Sequence, residues 1–187
     1  MIWLLASRWE AGGLERVQLN LARGFKKRKC SVSIIAGRDL NGPGDNGEVT
    51  FIAPRGAWQM LLGLPLRIRR ERPRVVVTTS NDIAVWVTFW RRILYPSTAV
   101  VVAQHLSLSG PRRAARGFVR LKLELIRWAM RGMLTRSQGL VAVSVALAAE
   151  MASELKLPRS GIRVIHNPLV STEGVPVSYT HLTLPTP

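Results

Sequence analysis

Seven short apolar runs, largely β-branched, alternate along this chain with stretches of helical periodicity. No other feature limits the possible folds as much. The runs are Ile2–Ala6, Ser31–Ala36, Val49–Ile52, Val75–Thr79, Ala99–Ala103, Gly139–Val143 and Ile162–Ile165. Several are apolar without interruption, the pattern of strands covered on both faces. Between them Leu14, Val17, Leu21 and Phe25 recur at helical spacing and predict one buried stripe. Asp82–Tyr95, Pro111–Arg136 and Val145–Leu155 also read as helices. Strand–helix alternation of this kind predicts an α/β fold: seven parallel strands in a doubly wound sheet flanked by helices.

At 187 residues the chain has room for one domain with a large core, and too little for two full-sized α/β domains. A hydrophobic fraction of 47% with 20% charged residues is that of a globular protein. Lys and Arg total 27 against 11 acids, a net charge of +16 that favours nucleotide or lipid phosphates, an anionic membrane or nucleic acid without choosing among them. Cys30 is the only cysteine, which excludes an intrachain disulfide and a cysteine-based zinc site and suggests a reducing compartment. Met1 runs straight into a strand-like segment with charges at Arg8 and Glu10, so a signal peptide is not expected. No stretch reads as a transmembrane helix, which takes about 20 mostly apolar residues.

Asp39–Gly47 reads as a loop, and Pro65–Pro73 as containing a basic turn before the fourth strand. The chain is expected to leave the sheet at Asn167-Pro168, because Pro168 biases Asn167 away from helix. This divides it into a domain of residues 1–170 and a linker and tail of residues 171–187. Val177–Thr186 resembles the translation of a sequencing-library adapter, so the segment after Pro176 is expected to belong to no element of the fold.

Ala11-Gly12-Gly13-Leu14-Glu15-Arg16-Val17 follows the first strand directly. Two glycines there allow a sharp turn and leave no side chain between a ligand and the main-chain amides. The next helix aims its positive end at the same spot, which suits a diphosphate or another anion. His105 lies two residues beyond the fifth strand, where ligands of parallel sheets collect. It is either a donor or base toward a sugar, or a loop histidine satisfied by backbone. Ser80, Asn81 and Asp82 follow the fourth strand and Ser144 the sixth; each can cap the next helix or touch a ligand. Gly12, Ser80, His105 and Ser144 are expected at one sheet edge. On a helical wheel Arg113, Arg116, Arg120, Arg127 and Arg131 share a narrow face, suited either to an anionic membrane surface or simply to solvent. Dinucleotide-binding, Walker A, zincin and serine-hydrolase motifs are absent.

Taken in order, these landmarks resemble the N-terminal domain of a GT-B glycosyltransferase of family 4, a Rossmann-like fold. Gly12 to Val17, continuing through Leu19–Arg23, matches the family's opening turn and helix. Ala142-Val143-Ser144 matches its strand–serine–helix unit, and Ile162–Pro168 its last strand and crossing to a second domain. The resemblance implies a retaining transfer of sugar from a nucleotide diphosphate donor to a glycan or lipid-linked hydroxyl. It implies no metal and no cofactor beyond the nucleotide sugar as substrate. Gly12 and Gly13 would lie near donor diphosphate and acceptor, with Ser80, Asn81 and Ser144 on the same edge. His105 would contact the donor sugar, and Asn167 would lie at the interdomain hinge. The family's C-terminal domain supplies most of the donor site, so a chain ending here is expected to be an inactive fragment. The expected location is the cytoplasm, with peripheral attachment at the cytoplasmic membrane face. The competing reading is a basic, non-catalytic module for nucleic acid or anionic membrane, supported by the net charge alone.

Overall fold

The computed structural model describes residues 1–9, 12–39, 49–51, 57–110 and 115–167. Seven strands form one sheet: β1 (Ile2–Trp9), β2 (Val32–Asp39), β3 (Val49–Phe51), β4 (Val75–Thr78), β5 (Ala99–Gln104), β6 (Gly139–Ala142) and β7 (Ile162–Val164). Their order is β3-β2-β1-β4-β5-β6-β7, and every neighbouring pair is parallel. The predicted doubly wound sheet is what forms. Five α-helices accompany it among the described residues: α1 (Gly13–Lys27), α2 (Ala57–Glu71), α3 (Asn81–Leu94), α4 (Gly117–Leu134) and α5 (Val145–Leu155).

Two apolar layers hold the sheet. On one face Leu4, Ala6, Ile34 and Ala36 of β1 and β2 pack beneath Ala22, Leu19 and Phe25 of α1. On the other, Trp3, Leu5, Val76, Val100 and Val102 meet Leu64 and Ile68 of α2, Val87 of α3, Met130 and Leu134 of α4 and Met151 of α5. Each fully buried side chain of this size contributes about 1.5–3 kcal/mol. Along β4 and β6 burial alternates, with Val76, Thr78, Leu140 and Ala142 sealed and their neighbours half-buried. The uninterrupted apolar runs therefore cover one face of β4–β6 completely and the other only in part, short of the expected two-sided burial.

Three helices differ from expectation. In α1 the sealed positions are Gln18 and Ala22, while Leu14, Val17, Leu21 and Phe25 are half-buried around them. The stripe is real, but its axis passes through a polar residue. α2 takes up most of the segment from Pro65 onward, with the proline inside it, and the expected basic turn is confined to its end, where Arg72 has φ +48 before β4. Proline has no N–H to return to the carbonyl four residues earlier, which usually argues against a helix. Here the Leu61 carbonyl, left without that donor, accepts the Trp86 indole N–H at 2.6 Å. Met60, Leu64 and Ile68 then bury one stripe four residues apart.

α4 is shorter than the predicted Pro111–Arg136 helix, and Arg113 lies outside the described residues. Its first residue, Gly117, has φ +54, a left-handed conformation that favours glycine and marks the entry. The loop after Asp39 and the tail after Asn167 likewise fall outside the described residues. No helix among the described residues is long and apolar enough to cross a membrane.

Candidate active site

Because all strands run in one direction, the carboxyl ends of β1, β4, β5, β6 and β7 share an edge. The turns at that edge carry Gly12, Ser80, His105, Ser144 and Asn167, so the residues expected to converge do so.

Gly12 stands in extended backbone before α1, and no side chain caps the helix. A Cβ at this position would lie 2.8 Å from Glu15 Oε2, so any other residue would have to displace that carboxylate. Gly13 meets nothing within 4 Å and is exposed. The first turn of α1 is thus open to solvent, with amides that suit an anion.

Ser80 precedes α3 without capping it. Its Oγ instead accepts the Ser7 N–H at 3.2 Å and hydrogen-bonds the Ser7 hydroxyl at 3.1 Å, fastening the turn after β4 to β1. Asp82 accepts the Ile83 N–H at 2.9 Å in the first turn of the helix. The neighbouring Asn81 Oδ1 is buried with no partner. Ser144 is a cap in the ordinary sense, its Oγ accepting the Leu147 N–H at 3.1 Å.

Gln18 reaches up from α1 to the same place. Its Nε2 donates to Thr79 Oγ1 at 2.9 Å and toward the Leu5 carbonyl at 3.5 Å, while its Oε1 is buried and unpartnered. Gln104, at the end of β5, donates to the Leu106 carbonyl at 2.6 Å, and its Oε1 is also without a partner. Sequence reasoning missed both. The signal for Gln18 was present: an amide stands within the apolar stripe of α1, where burial demands a reason.

His105 is half-buried, and its Nδ1 is sealed from solvent with no partner. Burial pushes the imidazole below its ordinary pKa, while the Asn167 side chain beside it pulls the other way and loses. The ring is therefore neutral near pH 7, with one nitrogen in the acceptor state and the other carrying the proton. Asn167, expected at a hinge, is found against this histidine. His166 Nδ1 lies 3.1 Å from the Val143 carbonyl.

The loop following His105 is fixed from α5. Glu150 accepts the Ser107 hydroxyl and the Ser109 N–H, each at 2.8 Å. Burial raises its pKa, but these hydrogen bonds together outweigh that effect and hold the carboxyl below its usual range. No group of three or more potential metal ligands occurs among the described residues.

A parallel sheet in the order β3-β2-β1-β4-β5-β6-β7 with helices on both faces is a Rossmann-like fold, the fold of GT-B glycosyltransferase domains. The sequence profile described as Glycosyltransferase Family 4 matches residues 11–171, and the chain belongs to that family. Two solved structures share the fold. One is the apo form of the lipopolysaccharide outer core galactosyltransferase WaaB, at TM-score 0.64 and 12% identity over 89% of this chain and 45% of the other. The second is HepE of Anabaena in complex with UDP and glucose, at TM-score 0.62 and 15% identity over 89% of this chain and 44% of the other. The chain thus spans about 45% of the length of these relatives. No curated protein matches it in sequence.

Proposed function

We propose that this chain is the acceptor-side half of a retaining glycosyltransferase that moves a sugar from a nucleotide diphosphate donor to a hydroxyl of a glycan or lipid-linked acceptor. The observation that carries this reading is the set of buried, unpartnered polar atoms along one sheet edge: Gln18 Oε1, Asn81 Oδ1, Gln104 Oε1 and His105 Nδ1. Buried polar atoms are nearly always paired, and a row of unpaired ones where ligands collect fits a polyhydroxylated substrate that supplies the missing bonds. Family membership supplies the reaction class.

Transfer leaves a diphosphate carrying the charge of the broken glycosidic bond. The open amides of the first turn of α1, at Gly13 and beyond, stabilise that charge from a fixed position. His105, neutral and half-buried, holds a sugar hydroxyl and so aligns donor and acceptor. Ser80 keeps the turn after β4 in place through Ser7, and Asn167 steadies the His105 ring. The second half of the enzyme holds most of the donor, so the 187-residue chain alone is inactive. The reaction calls on no metal or cofactor, and the enzyme works on the cytoplasmic side of a membrane.

Transfer by the full-length enzyme, assayed with a panel of nucleotide sugars, tests the reading. Turnover that depends on His105 supports it. Tight, strongly salt-dependent binding of nucleic acid with no transfer from any donor would replace it with the basic-module reading.

A further inference from the structure

One flank of α5 presents two carboxylates four residues apart, Glu150 and Glu154, toward the connection between β5 and α4. Leu147, Met151 and Leu155 of the same helix are buried in the core, so this flank is fixed in place. Glu154 holds α4 itself. Its carboxylate meets Arg127 at 3.1 Å, and its carbonyl accepts two N–H groups of Arg131, at 3.0 and 2.8 Å. Arg127 and Arg131 are therefore half-buried against α5, away from the solvent or membrane face expected for them from the sequence. Glu150 holds the loop that leaves His105. A single oxygen, Oε1, accepts both the Ser107 hydroxyl and the Ser109 N–H at 2.8 Å. Ser107 Oγ accepts the Gly110 N–H in turn, at 3.0 Å, and Leu108 packs against the core. Gln104 closes the start of the same loop onto the Leu106 carbonyl.

We infer that Glu150 is a positioning residue that sets His105 for sugar transfer. The inference rests on the substrate site proposed above. His105 stands two residues before Ser107, between the end of β5 and the pinned part of the loop. Displacement of Ser107 therefore passes directly to the His105 backbone. Hydrogen bonds to an ionised acceptor are about twice as strong as neutral ones, and these hold the Glu150 carboxyl in its ionised form. The acceptor sits on a helix that is already packed, so the loop is ordered before substrate arrives. A functional group has to stand within about 0.5 Å of its productive position. A misplacement of about 1 Å can cost about a hundredfold in rate. Glu150 acts on the imidazole through Ser107 and the backbone, while its own bonds go to the loop.

Steady-state kinetics of the full-length enzyme test the inference. Glu150→Ala should lower kcat about tenfold or more and leave the donor KM within about twofold, because a misplaced His105 costs alignment rather than donor binding. Glu150→Gln keeps a carbonyl oxygen that can take both hydrogens at the position of Oε1, and should recover most of the loss. Ser107→Ala removes one of the two bonds from an exposed side chain, and should lie between the parent and Glu150→Ala. In a His105→Ala background Glu150→Ala should add less than about a twofold loss, since both act through one ring. Full kcat in Glu150→Ala and Ser107→Ala, with His105→Ala impaired, overturns the inference and leaves the substrate site standing. Losses that multiply in the double variant overturn it too, because they make Glu150 independent of His105. A Glu150→Gln variant as impaired as Glu150→Ala does the same. If His105→Ala itself turns over as the parent does, the reading of the site falls and this inference with it.

Discussion

The two edges of the sheet are built from similar residues and end in opposite conditions. At the amino edge the buried Thr98 and Tyr95 and the exposed Gln138 are all bonded. The Thr98 hydroxyl donates to the Pro73 carbonyl at 2.9 Å, Gln138 Oε1 accepts the Val100 N–H at 2.7 Å, and the Tyr95 hydroxyl donates to the Val87 carbonyl at 2.9 Å. At the carboxyl edge Gln18, Asn81, Gln104 and His105 each keep a buried atom without a partner. The other unpartnered buried atoms among the described residues are Trp3 Nε1 near the start of β1 and Thr88 Oγ1 and Trp90 Nε1 on α3, so the contrast between the edges lies in their turns and not in the helices and strands behind them. A buried polar group left unpaired costs about 1–3 kcal/mol. A fold that satisfies one edge and leaves the other open is marked at the open one for a ligand.

The largest effect expected from this contrast is catalytic. In the full-length enzyme His105→Ala should lower turnover about a hundredfold or more, whereas Thr98→Val at the closed edge should leave turnover unchanged. Steady-state rates that fall equally for both variants would break the contrast. Stability should show the reverse order. Thr98→Val strips the Pro73 carbonyl of its donor and should cost about 1–3 kcal/mol in urea denaturation. Asn81→Ala removes a buried oxygen that has no partner and should stabilise the ligand-free fold by about 1 kcal/mol.

The smallest effect is a pH dependence. Burial pushes the folded His105 below the ordinary value of 6.5, so the unfolded chain takes up a proton first as pH falls. The stability it contributes is complete above pH 6.5 and is lost as pH drops through the lower, folded value. Thermal midpoints compared above and below that window should therefore converge in His105→Gln. Tyr95, at the closed edge, is pushed up by burial and stays neutral throughout, so a midpoint profile unchanged by His105→Gln would count against the assigned environment.

The fold was legible because the β-branched runs and helical stripes are local patterns, and each run except the edge strands extends over four or more residues. α2 escaped because Pro65 is a breaker in any local reading; its rescue by the Trp86 indole comes from 25 residues away. The placement of Gly12, His105 and Ser144 followed from strand polarity alone. What they do there did not. Ser144 caps a helix, Ser80 binds Ser7 across two strands, and Gln18 is turned into the edge by the rotation of α1. The arginine face of α4 was visible in sequence, but Glu154, which claims two of its members, becomes a neighbour only when α5 packs alongside.

Hydrogen–deuterium exchange of the full-length enzyme, with and without nucleotide sugars and acceptor, reads both edges in one experiment. The account predicts that a transferred donor slows exchange in residues 12–16, 79–82 and 104–107 and leaves 72–75, 95–99 and 136–139 unchanged. Protection confined to the second set, or absent from the first while transfer proceeds, would contradict the assignment of the open edge as the substrate site.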